Sequence, residues 1–470
     1  MVSAVTRAGA IACAGMISGA LGGCSLITDS FLTNDFSGDP FPINVDTTSG
    51  TIMVGLRQAG ADDRAAVLEL LSPITVIDQD PKLDPSLSYV DLTLLGTPSP
   101  GGSLDLSTAI PRARFPGAQL VALHPCDQSV ETCGVGPTGA RPFGAIIGAD
   151  ALAGDAVRLR LGDNQIFVLP DVGGSDRGRS LDCDAVFDAP YRGGGTLVFP
   201  TTELPFGNLR ITLQACLGQD PDPGPTPDIT ALNQHGADAL FVVSTSIGIS
   251  ILGTAAYQRY LMAHPEETPP TPPPMESVYL PSGIVTGQHV TIKRLALVAA
   301  STSNSLSPCR QVYAHRLLTT YNLATLNCQP DAKGNTPPNC PCKDGSLFCA
   351  VPGILELTPT PPAVIDMLVV SDTEPTLQAL RTELRPDQPE VDGLLGTDVL
   401  RGAEIDVDYP HDRLLARCPG ATCSARPQLA QQSDICQINH CIHGTGQDVG
   451  CAGHPLCDPL LPCPLPPTPP

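Results

Sequence analysis

Two segments of this chain align with each other without a gap, and no other feature of the sequence constrains its fold as strongly. Residues 144–166, GAIIGADALAGDAVRLRLGDNQI, match residues 392–414, DGLLGTDVLRGAEIDVDYPHDRL. Each copy reads as an apolar pair, a glycine, a one-turn helix and an alternating strand. Two such copies in one chain predict two similarly folded halves. The identical positions are Gly148 and Gly396, Asp150 and Asp398, Leu152 and Leu400, and Gly154 and Gly402.

A fainter repeat lies upstream of each copy. Residues 65–77, AAVLELLSPITVI, align with residues 240–252, LFVVSTSIGISIL. Both read as a buried strand, a tight loop and an alternating apolar strand. The order strand, loop, strand and then apolar-apolar-glycine therefore occurs twice. The aligned positions are Leu68 with Val243, Glu69 with Ser244, Leu70 with Thr245, Leu71 with Ser246 and Ile74 with Ile249.

The composition agrees with short strands joined by turns. The 470 residues include 50 Pro and 45 Gly but no Trp, which favours many turns over a helical bundle. The length is sufficient for two lobes or for two to three domains. The sequence therefore predicts an all-β protein.

The doubled order resembles the pepsin-like and retropepsin-like aspartic peptidases, in which each β lobe supplies one Asp-Thr-Gly loop and one apolar-apolar-glycine strand beside it. The resemblance extends over residues 41–418, and EVDGLLGTDVLRGAEIDVDYPHDRL and FGAIIGADALAGDAVRL are its most specific segments. It implies a bilobed fold with an N-terminal lobe at 41–204 and a C-terminal lobe at 205–418. The Cys/Pro-rich tail at 419–470 has no counterpart in that family.

The chemistry of that family needs two carboxylates that share one proton, and each lobe contributes one of them. In the second lobe, Ser244-Thr245-Ser246 stands where the family has Asp-Thr-Gly, and no Asp or Glu occurs from Phe241 to Tyr257. A serine hydroxyl does not ionise at accessible pH. The second catalytic carboxylate is therefore missing.

Two segments are candidates for the first-lobe loop, Asp46-Thr47-Thr48-Ser49 and Glu69-Leu70-Leu71-Ser72. The family has a β-hairpin before this loop, and GTIMVGLRQAGADDRAAVLE supplies that hairpin if Glu69 is the loop residue. We therefore favour Glu69 and keep Asp46 as the alternative. The longer Glu side chain would place its carboxylate outside a symmetric pair, and Asp46 would face a serine. On either alternative we predict no catalytic residue, with Glu69, Ser72, Ser244 and Thr245 as degenerate loop positions.

The N-terminus is similar to a bacterial lipoprotein signal peptide. Residues 1–23 contain one Arg and a short apolar stretch, and they end in Leu21-Gly22-Gly23 before Cys24. We predict that Cys24 is acylated and anchors the protein to a membrane of the bacterial cell envelope, with 24–40 as a polar tether. The alternative is a plain secretory signal with a chance cysteine.

Cysteine usage supports export. Of 18 cysteines, Cys13 lies in the predicted signal and Cys24 is the predicted anchor, so an even number remains for disulfides. The sequence does not fix every pairing. The remaining cysteines cluster as Cys126 with Cys133, Cys183 with Cys216, a group from Cys309 to Cys349, and a C-terminal group from Cys418 to Cys463 in which Cys418 and Cys423 are the named candidates.

Several patterns have structural interpretations that we prefer to functional ones. The net charge of -22 disfavours nucleic acid as a partner. GVGPTG at 134–139 is interpreted as a glycine-rich turn, and the histidines of NHCIHG as surface residues beside disulfides. Asp150 and Asp398 are predicted to cap the one-turn helices that follow each apolar-apolar-glycine. We therefore predict neither a cofactor nor a metal.

These inferences predict a lipid-anchored envelope protein with an aspartic-peptidase-like fold and no acid pair. Its cleft between the lobes would bind a peptide or another envelope component. An active, divergent aspartic endopeptidase is the alternative, with Asp46 or Glu69 and an unrecognised carboxylate. A structural surface lipoprotein, whose Cys-rich tail makes the contacts, is the second alternative.

Overall fold

A computed structural model describes nineteen stretches of the chain. They are residues 42–45, 50–58, 63–78, 89–96, 104–108, 110–121, 145–153, 156–169, 185–188, 190–198, 203–218, 236–267, 274–280, 283–300, 307–313, 353–357, 364–384, 390–419 and 423–427. Several predicted positions lie outside these stretches: Cys13, Cys24, Asp46, Cys126, Cys133 and Cys183, with GVGPTG at 134–139 and NHCIHG at 439–444. In the part of the chain that is described, no helix is long and apolar enough to cross a membrane.

Strands make up most of the described secondary structure, and they form three sheets. The first sheet is a closed barrel in the order β2-β3-β7-β4-β6-β5. Its strands are β2 (Met53–Gln58), β3 (Arg64–Leu68), β4 (Val76–Asp78), β5 (Tyr89–Gly96), β6 (Ile110–Val121) and β7 (Ala145–Ile147).

The second sheet has six strands in the order β1-β9-β8-β21-β22-β10. Its strands are β1 (Pro42–Asn44), β8 (Ala156–Arg160), β9 (Gln165–Leu169), β10 (Ala185–Asp188), β21 (Glu404–Asp408) and β22 (Arg413–Arg417). We call it the central sheet, because it joins strands from both copies of the sequence repeat.

The third sheet has eleven strands in the order β15-β16-β19-β14-β20-β13-β12-β17-β18-β23, with β11 paired to β12. Its strands are β11 (Tyr191–Val198), β12 (Glu203–Leu217), β13 (Ala237–Val243), β14 (Ser250–Gly253), β15 (Met275–Leu280), β16 (Gly283–Lys293), β17 (Leu295–Val298), β18 (Gly353–Leu357), β19 (Val364–Val370), β20 (Gly393–Leu395) and β23 (Cys423–Pro427).

Helices are short and few in the described stretches. They are α1 (Thr254–Ala263), α2 (Pro375–Glu383) and α3 (Thr397–Leu400), with a further helical segment at 308–313 and 3-10 turns at Ala149–Leu152, Leu161–Asp163 and Tyr409–His411. The predicted predominance of β structure is therefore confirmed. The predicted domain boundary at 204 falls within β12. Strand β23, which lies after the predicted boundary at 418, pairs with β18.

The sequence repeat corresponds to a repeat of structure. Strand β7, a 3-10 turn, β8, a second turn and β9 follow one another in the first copy, and β20, α3, β21, a turn and β22 follow in the second. The second turn ends at Asn164 with φ 54° in one copy and at Asp412 with φ 52° in the other. Asn and Asp tolerate this left-handed conformation better than other side chains. We call β3, β4, β7, β8 and β9 the first unit, and β13, β14, β20, β21 and β22 the second unit.

The two units meet where β8 pairs with β21. In this antiparallel pair Arg158 lies opposite Asp406, with Leu159 opposite Ile405 and Val157 opposite Val407. Arg158 and Asp406 are also the same position in the two copies of the repeat, so the approximate two-fold axis of the molecule passes between them. The apolar neighbours of this pair are buried in the main core.

The pair on the axis is a bidentate ion pair. Arg158 Nε donates to Asp406 Oδ1 at 2.7 Å, and Nη2 donates to Oδ2 at 2.8 Å. Their side chains are 14% and 7% exposed. Glu404 adds a second carboxylate, 3.2 Å from Arg158 and 3.2 Å from Arg417, and it also pairs with Arg160. This face of the central sheet is therefore held by alternating charges.

A disulfide in the third sheet corrects one predicted pairing. Cys216 of β12 is bonded to Cys309, which is 93 positions away in the sequence, and not to Cys183. The Cα atoms of the bonded pair are 4.7 Å apart, and both side chains pack with Val298 and Val312. Proximity in the sequence was misleading because β17 brings the distant segment against β12. The candidates Cys418 and Cys423 are bonded to each other.

Removing one partner of the pair on the axis tests its contribution. For Asp406→Ala we expect the free energy of unfolding to fall by about 3 kcal/mol, because a mostly buried guanidinium loses its bidentate partner. Chemical denaturation of the full chain measures the change. Arg57 and Asp63 are the matched control, since they make a similar two-bond contact with side chains that are 42% and 27% exposed. Asp63→Ala should cost clearly less, and an equal loss in the two variants would contradict the prediction.

Candidate functional site

Equivalent loops follow β3 in the first unit and β13 in the second. The third strand of each unit lies parallel to the strand before the loop, with β7 beside β3 and β20 beside β13. The first loop residue donates its N–H to that strand: Glu69 to the carbonyl of Ile147 and Ser244 to the carbonyl of Leu395, each at 2.9 Å. The loop positions that the sequence repeat aligned are therefore equivalent in space.

Each apolar-apolar-glycine segment is fixed to its own unit by a hydroxyl. Gly148 N–H donates to Thr75 Oγ1, and Gly396 N–H donates to Ser250 Oγ, each at 2.9 Å. At Gly148 a Cβ atom would lie only 2.4 Å from the carbonyl carbon of Ile74. Glycine is therefore required there by the close approach of two backbones.

The two repeated aspartates bind the same hydroxyls. Asp150 Oδ1 accepts the Thr75 hydroxyl at 2.7 Å, and Asp398 Oδ1 accepts the Ser250 hydroxyl at 2.9 Å. The prediction that these aspartates are the N-caps is wrong, because Gly148 and Gly396 occupy the N-cap positions of the two short helices. Asp150 does accept the N–H of Ala151 within the turn. Each aspartate thus connects its short helix to the loop.

The Glu69 carboxylate lies where the two loops meet, and its side chain is almost fully buried. Oε1 accepts the N–H of Leu71 at 2.8 Å and the N–H of Thr245 at 3.1 Å. Oε2 accepts the hydroxyl of Ser244 at 3.0 Å. Among the described residues, its hydrogen-bond partners in this structure are N–H and hydroxyl groups, and none is a second carboxylate.

Thr245 makes the other contacts across the loops. Its hydroxyl donates to the carbonyl of Leu68 at 2.6 Å and accepts the N–H of Leu70 at 3.0 Å. Thr245 is completely buried. One side chain of the second unit therefore binds the backbone of the first unit on both sides of Glu69.

A further pair of contacts crosses from the chain segment that precedes each unit. Thr51 donates its hydroxyl to the carbonyl of Ser246 at 2.8 Å. On the other side, Arg210 donates from Nη1 to the carbonyl of Leu71, the position equivalent to Ser246. Glu383 holds the Arg210 guanidinium with two bonds of 2.9 and 2.7 Å. These contacts tie the two loops together.

Burial sets the electrostatics of this junction. Removal from water raises the pKa of the Glu69 carboxyl, and the hydroxyls of Ser246 and Ser244 and the N–H groups of Leu71 and Thr245 oppose that rise. Proton sharing between two acids requires two ionisable groups at the junction. The described residues supply one carboxylate, which faces a serine hydroxyl.

Three of the predicted loop residues come together, and a fourth does not. Glu69, Ser244 and Thr245 form the junction, whereas the Ser72 hydroxyl donates to the carbonyl of Ile74 within its own loop. Sequence reasoning missed Arg210, because an arginine in an alternating strand looks like a solvent-facing residue. In the described stretches, no group of three or more His, Cys, Asp or Glu side chains has the arrangement of a metal site.

Comparison with known proteins gives a limited result. No protein-family model matches the chain, and no curated protein sequence matches it. One similar solved structure is an aspartic proteinase from Irpex lacteus, with 11% identity, a TM-score of 0.37, and coverage of 82% of this chain and 99% of that chain. Another is basic 7S globulin from soybean, with 9% identity, a TM-score of 0.35, and coverage of 80% and 94%. Similarity at this level assigns no function.

The part-buried Asp398 gives the site a testable pH dependence. Burial raises its pKa from 3.8 to about 6, against the hydrogen bonds from Ser250 and nearby N–H groups. The protonated carboxyl of Asp398 therefore stabilises the folded state. This stabilisation is fully present below pH 3.8 and is lost as the pH rises through about 6. Asp398→Asn stays neutral, so above that pH we expect it to gain of the order of 2 kcal/mol in unfolding free energy relative to the wild type.

Urea unfolding of the full chain from about pH 3.5 to 8 measures this difference. Asp150→Asn is the matched control, because it removes the equivalent carboxylate of the first unit, where the side chain is exposed. A difference between Asp398→Asn and the wild type that stays constant with pH would contradict the prediction.

Proposed function

We propose that this chain has an aspartic-peptidase-like bilobed fold without the acid pair, and that it binds an extended peptide or another envelope component between its two units. The observation that carries the proposal is the junction of the loops, where Glu69 faces Ser244. In the resembling family, both equivalent positions hold an aspartate. One carboxylate opposite a hydroxyl has no partner with which to share a proton.

The bonding of Glu69 further supports a non-catalytic role. A general base must leave a lone pair directed at the water that it activates. Both Glu69 oxygens instead accept protein donors, and the carboxylate is shielded from solvent. Activation of a water would require breaking the contacts that connect the loops.

The surface of the loops suits a peptide better than an ion. Ser72 and Ser246 are part-exposed, as are Gly248 and Ile249, while Glu69, Ser244 and Thr245 are buried. The loops therefore offer neutral, hydrogen-bonding groups. A peptide backbone carries donors and acceptors that such groups satisfy without charge neutralisation.

Capture of a peptide library tests binding and catalysis together. The full chain is immobilised and incubated with random decapeptides at acidic and neutral pH, with and without a transition-state-analogue peptide, and mass spectrometry identifies the retained and released peptides. We expect retention of a subset of intact peptides. Ser246→Trp should abolish retention by filling the space beside the loops, whereas Ser277→Trp, on the exposed face of β15, should not.

Three results would contradict this proposal. Cleavage that the analogue inhibits and that Glu69→Gln abolishes would show an active peptidase. Retention that is equal in Ser246→Trp, Ser277→Trp and the wild type would place binding elsewhere on the protein, and no retention in the wild type would favour the purely structural lipoprotein.

We further propose that acylated Cys24 anchors the protein to a membrane of the bacterial cell envelope. The supporting observation is the small-small-Cys site at the end of a short apolar segment. Cys24→Ser should move the protein from the membrane fraction to the soluble fraction in a cell fractionation experiment. Cys13→Ser, within the signal, should leave its distribution unchanged. Membrane partition of Cys24→Ser at the wild-type level would contradict lipidation.

A further inference from the structure

The approximate two-fold symmetry pairs one N–H group of each loop. Leu70 and Thr245 occupy equivalent positions, and each donates its backbone N–H to a side-chain oxygen of the other unit. The Leu70 N–H reaches Thr245 Oγ1 at 3.0 Å. The Thr245 N–H reaches Glu69 Oε1 at 3.1 Å. Both donors are thereby satisfied, but by different chemical groups.

Perfect symmetry would require a hydroxyl on residue 70. That hydroxyl would accept the Thr245 N–H as the Thr245 hydroxyl accepts the Leu70 N–H. Leucine has no acceptor, and an N–H buried at this depth costs free energy when it lacks one. The preceding residue, Glu69, has a side chain long enough to bring an oxygen to the same N–H.

We propose that the Glu69 carboxylate replaces the missing hydroxyl of position 70 and acts as the acceptor that links the first unit to the second. Glu69 is then a positioning residue for the Thr245 loop. This role does not depend on the proposed function, because an enzyme and a binding protein would both need the two loops held together.

The two carboxylate oxygens have separate tasks in this link. Oε1 faces two N–H groups, of Leu71 and Thr245, which only donate. Oε2 faces the Ser244 hydroxyl, which is also 3.4 Å from the Ser246 hydroxyl. A hydroxyl can donate or accept, so a proton on the carboxyl group resides on Oε2. Oε1 therefore remains an acceptor in either protonation state, and the link persists.

A double-mutant cycle tests the replacement. The cycle uses the full chain with Glu69→Ala, with Leu70→Thr and with both changes. For each variant, hydrogen exchange of the Thr245 amide and the thermal midpoint of unfolding are measured. Glu69→Ala should lower the protection of the Thr245 amide by up to about tenfold, the equivalent of one net hydrogen bond. Leu70→Thr should restore much of that protection in the Glu69→Ala background, since it supplies the hydroxyl that symmetry requires.

The cycle separates this effect from the loss of packing. Leu70 is buried, so Leu70→Thr carries a packing cost in every background, and only the difference between backgrounds reports the link. Thr51→Val is the matched control, because it removes another contact between the units, to the carbonyl of Ser246. Leu70→Thr should not rescue that variant.

Glu69→Gln keeps the test usable if Glu69→Ala fails to fold. The amide oxygen of Gln can accept the same two N–H groups, and its NH₂ can donate to the serine hydroxyls. We expect it to retain wild-type protection of the Thr245 amide. The proposal is overturned if Glu69→Ala leaves that protection unchanged, if Glu69→Gln lowers it as much as Glu69→Ala, or if Leu70→Thr gives the same change in both backgrounds.

Discussion

The pairing of Arg158 with Asp406 is the interaction on which the rest of the architecture depends. It lies on the approximate two-fold axis, where each residue faces its own equivalent across β8 and β21. Two identical charged residues there would repel each other in a poorly solvated place. One copy instead has an arginine at this position and the other has an aspartate, so the axis is held by a bidentate ion pair.

The loops depend on this central sheet because the same segments lead into both. Strand β7 supports the Glu69 loop and continues through a 3-10 turn into β8, and β20 supports the Ser244 loop and continues through α3 into β21. Fixing β8 against β21 therefore sets the distance between the loops. At that distance Thr245 donates its N–H to the Glu69 carboxylate and accepts the N–H of Leu70 through its hydroxyl. A single buried carboxylate is tolerated there because N–H and hydroxyl donors satisfy both of its oxygens.

Much of this arrangement could be predicted from the sequence, since a gapless repeat preserves both the order of elements and their turns. The equivalence of Glu69 with Ser244 and of Leu70 with Thr245 was such a prediction, and the backbone bonds to Ile147 and Leu395 agree with it. The contacts of Arg210 with Leu71 and Glu383 could not be predicted, because they join residues 139 and 173 positions apart. The Cys216–Cys309 disulfide escaped prediction for the same reason.

The sequence by itself determined the repeated order of strands, the glycines where backbones approach closely, and the absence of an ionisable residue in the second loop. These are local properties, and they follow from residue type and spacing. Only the tertiary structure decided what the Glu69 carboxylate binds and which residue faces Arg158. Those outcomes depend on how two distant segments dock, which local preferences do not encode, and on burial, which makes each hydrogen bond at the junction costly to lose.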